Sequence, residues 1–143
     1  MSGRCLPSPL YTKEAARLLG PLELAYIGDT VFDLFIRSSI LSLGYNVRDM
    51  HRAAVSHVNA AAQSMAFQAI QDMLDEEEML IVKRGRNAHA RHQAPKSASV
   101  SEYANATGLE ALMGYLYLIG NFDRLNDILD HIWEVPVPCP KRT

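Results

Sequence analysis

An all-α fold, a helical bundle, is predicted on three observations. Apolar residues recur at three- and four-residue spacing along most of the chain. No stretch reads as a convincing strand, and the breaks between periodic segments carry helix caps and stops. The 143 residues suit one domain with a real core, covering 1–143 with irregular ends at about 1–10 and 135–143.

Taken in order, residues 1–10 contain Pro7 and Pro9 and read as irregular, and residues 11–19 as a short helix or lead-in. From Leu22 to Leu43 the positions Leu24, Ile27, Val31, Leu34 and Phe35 keep helical spacing, and Gly44 is the stop. An alanine-rich helix is predicted from Val47 to Leu74, with Asn46 as its N-cap. Asp75 and Glu78 have capping-box spacing, so Asp75-Glu76-Glu77-Glu78 reads as a solvated acidic helix start rather than a metal site. The helix that follows carries Met79, Leu80 and Val82 into a basic stretch, where Gly85 and Pro95 suggest a shaped loop. Ser99 and Glu102 predict a capped helix from Val100 to Ile119, Gly120-Asn121 a turn, and Phe122 to Trp133 a last helix. The tail from Val135 to Thr143 holds three prolines and is not helical.

The net charge of −2 argues against a basic coat for nucleic acid, so any RNA contact needs a local patch. Apolar and charged contents of 48 % and 21 % are ordinary for a water-soluble domain. No apolar run reaches the roughly 18 residues a bilayer span needs, and no leader pattern opens the chain. The expectation is a cytoplasmic protein without a membrane partner, in which Cys5 and Cys139 are reduced thiols.

Two helices carry the residues that ask for an explanation. Gly28-Asp29 interrupts an apolar helical pattern, although a mid-helix glycine costs about 1 kcal/mol and a carboxylate among apolar neighbours needs a positive partner. Gly28 would let another helix or a substrate come close. Far along the chain, Glu110 is the one acid in Thr107-Gly108-Leu109-Glu110-Ala111-Leu112-Met113-Gly114. Two such acids suggest a divalent-metal site between helices; pairing with Lys or Arg is the other reading, and the residues alone leave both open. Mg²⁺ prefers hard oxygen ligands and brings an activated water and charge neutralisation to a phosphodiester. Asp33, one turn after Asp29, is either a supporting group at that site or, preferably, an ion-pair partner of Arg37.

Five of the fourteen Lys and Arg residues fall between Lys83 and Lys96 with no acid among them. Lys83, Arg84, Arg86, Arg91 and Lys96, with Asn87 and His89, form a patch suited to phosphates and 2′-hydroxyls. His89 and His92 lack a third ligand for a transition metal. His51 and His57 do not share a helix face and read as polar or packing residues.

The pairing of Tyr26-Ile27-Gly28-Asp29 with Leu109-Glu110-Ala111-Leu112-Met113-Gly114, in this order and spacing around the basic stretch, resembles ribonuclease III catalytic domains over roughly Pro21 to Ile132. It is most similar to the Mini-III ribonucleases, which consist of that domain alone. Full-length ribonuclease III carries further acids where Ala25 and Thr107 stand here; Mini-III enzymes look similarly reduced. The resemblance implies the ribonuclease III helical bundle, with Asp29 and Glu110 as catalytic metal ligands and Asp33 or Thr107 in support. It implies Mg²⁺, replaceable by Mn²⁺, and cleavage of double-stranded RNA to 5′-phosphate and 3′-hydroxyl ends. It also implies a homodimer and, as substrate, the 23S ribosomal RNA precursor, with a ribosomal protein on that precursor as a further partner. The first and fourth predicted helices are apolar on more than one face, which leaves surplus surface for a second subunit. The rival reading is a non-catalytic module of the same fold that binds structured RNA or serves ribosome assembly, with Ala25 and Thr107 as lost acids.

Overall fold

The computed structural model describes residues 11–89 and 99–137. The helices are α1 (Lys13–Leu18), α2 (Pro21–Leu41), α3 (Val47–His57), α4 (Ala60–Ile70), α5 (Glu76–His89), α6 (Val100–Leu118) and α7 (Phe122–Trp133), with a short 3-10 turn at Gln71–Met73. The described residues hold no strand, as the all-α expectation requires. The ends at 1–10 and 138–143 lie outside the described residues, as does Pro95.

The predicted caps form. Ser99 Oγ accepts the Glu102 N–H at 3.1 Å, and Glu102 Oε1 accepts the Ser99 N–H at 3.1 Å. Asp75 and Glu78 exchange the same pair of bonds at 2.7 and 3.0 Å. Gly44 ends the second helix region with φ 74°, open to glycine at little cost.

The single helix predicted over Val47–Leu74 is instead two. Asn59 breaks it. Its Oδ1 accepts the Ala62 N–H at 2.9 Å, while its Nδ2 donates to the Val55 and Ser56 carbonyls at 2.9 and 3.1 Å. One side chain therefore closes α3 and opens α4, and the chain turns at Val58. The basic stretch differs as well. Lys83 to His89 continue α5 rather than forming a loop. Gly85 serves packing there, since a methyl group on it would press on Gly108 of α6.

Helix α6 is the axis of the bundle and packs against α2, α4, α5 and α7. Thirteen positions from Ala104 to Leu118 are buried, including Leu109, Leu112, Met113, Tyr115 and Leu116. Its apolar surplus is thus spent inside the subunit, where it was expected to leave a face for a partner. Helix α2 keeps such a face: Leu22, Tyr26, Leu34 and Leu41 remain exposed.

The acidic start of α5 is less solvated than expected. Glu78 is 4 % exposed and accepts two hydrogen bonds from Arg124, both at 2.8 Å, which tie α5 to α7. Glu77 accepts from the Tyr115 hydroxyl and pairs with Arg17 at 2.6 Å, tying α5 to α6 and α1. Burial alone would push Glu78 up, but the Arg124 guanidinium and the Asp75 N–H hold its carboxyl below the usual value. That contribution is present at neutral pH and disappears as the pH falls through the depressed folded value. Arg124→Met is expected to cost about 3 kcal/mol by leaving Glu78 buried and unpaired. Urea unfolding at pH 7 measures it, and the gap from the parent should narrow in acid; a constant gap would contradict the assignment.

Candidate active site

The site begins with a helix crossing. A methyl group on Gly28 would overlap the Glu110 carbonyl, and one on Gly114 would overlap the Leu24 carbonyl. The backbones of α2 and α6 therefore touch, as only glycine at both positions allows. Asp29 follows Gly28 directly, so the crossing that seats the Glu110 main chain also sets its carboxylate beside Asp29.

Both acids open onto one cleft of about 350 Å³, lined also by Leu22, Ala25, Tyr26, Asn59, Gln63, Tyr103 and Thr107. Asp29 is exposed and Glu110 half-buried. Burial and, next, the Asp29 charge push the Glu110 carboxyl up to about 7, against a smaller opposing effect of the Gln63 amide. Gln63 Nε2 donates to Glu110 Oε1 at 2.9 Å. Two like charges share a partly dry cleft, and a cation between them would relieve the repulsion.

Among the described residues no cluster of three or more His, Cys, Asp or Glu surrounds a common point. Two carboxylates with an amide nearby are a hard oxygen set, without the His or Cys ligands that Zn²⁺ usually takes. They fit Mg²⁺, which is commonly held by one or two carboxylates and keeps several waters. Ala25 and Thr107, where the wider ribonuclease III pattern has acids, line this cleft. The Thr107 hydroxyl donates to the Tyr103 carbonyl of its own helix at 3.0 Å. Asp33 takes the ion-pair alternative, with Arg37 at 2.9 Å, and does not line the cleft.

The basic candidates separate into groups. Lys83, Arg86 and Asn87 are exposed on α5. Arg86 lies with its guanidinium 6.0 Å from the Phe67 ring centre. Arg84 instead donates to the Arg17 and Leu19 carbonyls at 3.0 and 3.1 Å, holding the end of α1 and the turn into α2. Arg91 and Lys96 lie outside the described residues, as does His92; His89 is the last residue of α5. Asn87 and Arg84 line a second cleft of about 520 Å³ with Gly20 to Glu23, and Leu22 borders both clefts. Helix α5 therefore reaches the neighbourhood of the acid pair through Arg84, Asn87 and Ala88, while Lys83 and Arg86 line neither cleft. His57 packs face-on against Trp133 at 5.0 Å and its burial lowers its pKa, which makes it a packing residue.

Asn59 and Gln63 do not stand out in the sequence. Their only signal is two amides four residues apart in an alanine-rich run, on one helix face once α4 exists.

Comparison with known proteins places the chain in a family and agrees with its fold. Residues 22–121 match the Ribonuclease III domain family. The chain is 48 % identical over 112 residues to the Mini-ribonuclease 3 of Symbiobacterium thermophilum, covering 78 % of this chain and 85 % of that one. With the Mini-ribonuclease 3 of a Thermoanaerobacter species it shares 45 % identity over 131 residues, 91 % of this chain and 92 % of the relative. A crystal structure of a Fusobacterium nucleatum protein superposes with a TM-score of 0.75 at 35 % identity, covering 82 % and 94 % of the two chains. No helix among the described residues is long and apolar enough to cross a membrane. An all-helical bundle, a pair of acids at its central crossing and relatives matched over most of their length lead to one assignment: the chain belongs to the ribonuclease III family, in its Mini-ribonuclease 3 branch, and is an endoribonuclease.

Proposed function

We propose that the chain is a homodimeric, Mg²⁺-dependent endoribonuclease that cleaves double-stranded RNA, with Asp29 and Glu110 as the residues that hold the cation. Mn²⁺ is expected to substitute. The observation that carries this reading is the convergence of the two carboxylates on one cleft, bordered through Leu22 by a second cleft that Arg84 and Asn87 of α5 line. When bound, the cation would supply a water more acidic than bulk water and neutralise charge on the scissile phosphate. Asp29, exposed, presents its carboxylate to solvent and substrate; Glu110, half-buried, gives a ligand whose position the bundle fixes. Lys83 and Arg86 with Asn87, and by extension His89, Arg91 and Lys96, supply phosphate contacts that favour a duplex by shape. Arg84 supports them by holding the α1–α2 turn. The exposed apolar residues of α2, Leu22 and Tyr26 beside the cleft and Leu34 and Leu41 further on, are the surface for a second subunit. The substrate within this class is the 23S ribosomal RNA precursor, with a ribosomal protein on it as a helper.

The test is a long RNA duplex incubated with the purified protein in Mg²⁺ and in EDTA, with single-stranded RNA alongside. Cutting confined to duplex and Mg²⁺ is the expected result. A retarded but intact duplex in both buffers would instead favour an RNA-binding module. Binding has its own expected outcome. Lys83→Gln with Arg86→Gln should reduce the slope of log affinity against log salt by about one for each phosphate no longer neutralised. An unchanged slope would move the RNA surface off α5.

A further inference from the structure

We propose that Gln63 is a positioning residue of the metal centre, acting on Glu110 from a third helix. The proposal rests on the reading that a divalent cation sits between Asp29 and Glu110. Gln63 is 4 % exposed, so its amide is removed from water and has to find partners within the protein. Its Nε2 donates to Glu110 Oε1 at 2.9 Å across 47 positions of sequence. One carboxylate oxygen is thereby engaged, and the other is left for a ligand.

The neutrality of the donor matters. A Lys or Arg at this place would neutralise Glu110 and repel a cation, whereas an amide fixes the oxygen without competing for the charge. The placement is also held from several sides. Asn59 sets where α4 begins, one turn before Gln63. Ala66, Phe67 and Ile70 bury the next turns of α4 in the core. Asn105 of α6 donates to Ser64, the neighbour of Gln63, at 2.9 Å and fixes the register between the two helices. Glu110 is consequently held twice, its main chain by the Gly28 crossing of α2 and its carboxylate by α4. A ligand restrained at both ends loses little freedom when it takes up a cation, which is how outer-shell hydrogen bonds raise metal affinity.

The experiment measures Mn²⁺ binding by electron paramagnetic resonance on the parent, Gln63→Met and Asp29→Asn. Methionine keeps the length and packing of the side chain and lacks the donor. Gln63→Met is expected to weaken Mn²⁺ binding about tenfold or more while leaving its own metal-free duplex binding unchanged, with Asp29→Asn losing the ion. If Asp29→Asn loses Mn²⁺ while Gln63→Met stays within about twofold of the parent, the positioning role is wrong and the metal reading stands. If Asp29→Asn binds Mn²⁺ like the parent, the metal reading fails and takes this proposal with it. Should Gln63→Met not fold, the side-chain amide signal of Gln63 in the ¹⁵N-labelled parent decides: it moves on adding Mg²⁺, and a signal that stays in place overturns the role.

Discussion

Asp29→Asn is expected to lower single-turnover cleavage of duplex RNA by about 10²-fold or more while leaving the fold intact, as removal of a group that stabilises transition-state charge does. The substitution keeps the shape of an exposed side chain and removes only its charge. Because the Asp29 charge helps to push the Glu110 carboxyl up, the variant should carry a Glu110 that ionises more readily. The metal-free variant should accordingly melt no lower than the parent above neutral pH, where repulsion between the two acids is relieved. Activity thus falls without a loss of stability, which general damage to the fold cannot produce. Cleavage at near the parental rate would falsify the assignment of Asp29, and a lowered melting temperature would mean that the acid serves the fold.

Gly28→Ala is expected to cost about 3 kcal/mol or more, at the upper end for overpacking a core. The added methyl meets the Glu110 carbonyl, and main chain in the middle of the central helix cannot turn aside as a side chain does. Helices α2 and α6 must separate along their whole contact. Against a total of about 5–15 kcal/mol, the loss is a large share of the stability of a domain. Gly20 provides the control. A methyl group there meets Glu23 Oε1 at 3.0 Å, the far end of a flexible side chain, and Gly20→Ala should cost far less. Urea unfolding of the two variants side by side gives the comparison; similar midpoints would mean that the crossing does not limit stability. Cleavage should fall with Gly28→Ala as well, since moving α2 off α6 parts Asp29 from Glu110.

Much of the fold was legible because its signals are local. The capping boxes at Asp75/Glu78 and Ser99/Glu102, the stop at Gly44 and the spacing of Leu24, Ile27 and Val31 each depend on residues within one or two turns. The acid pair was legible for another reason: a lone carboxylate in an apolar sequence pattern stands out, although in the fold Asp29 is exposed and only Glu110 is partly buried. Asn59 was not, because an asparagine inside an alanine-rich run is compatible with a continuing helix, and only the return of the chain at Val58 turns it into two caps. Arg84 looked like its basic neighbours, yet its partners are carbonyls 67 and 65 positions away.

The sequence by itself determined the class of fold and most helix boundaries and singled out the two acids as candidates, since backbone propensity, capping and an acid in an apolar pattern are written in neighbouring residues. Only the tertiary structure decided that α6 spends its apolar surface inside the subunit, that Gly28 and Gly114 bring α2 and α6 into backbone contact, and that Gln63 meets Glu110. These depend on which helix lies against which. That choice is made by the packing of the whole core at once, and no short stretch of the chain records it.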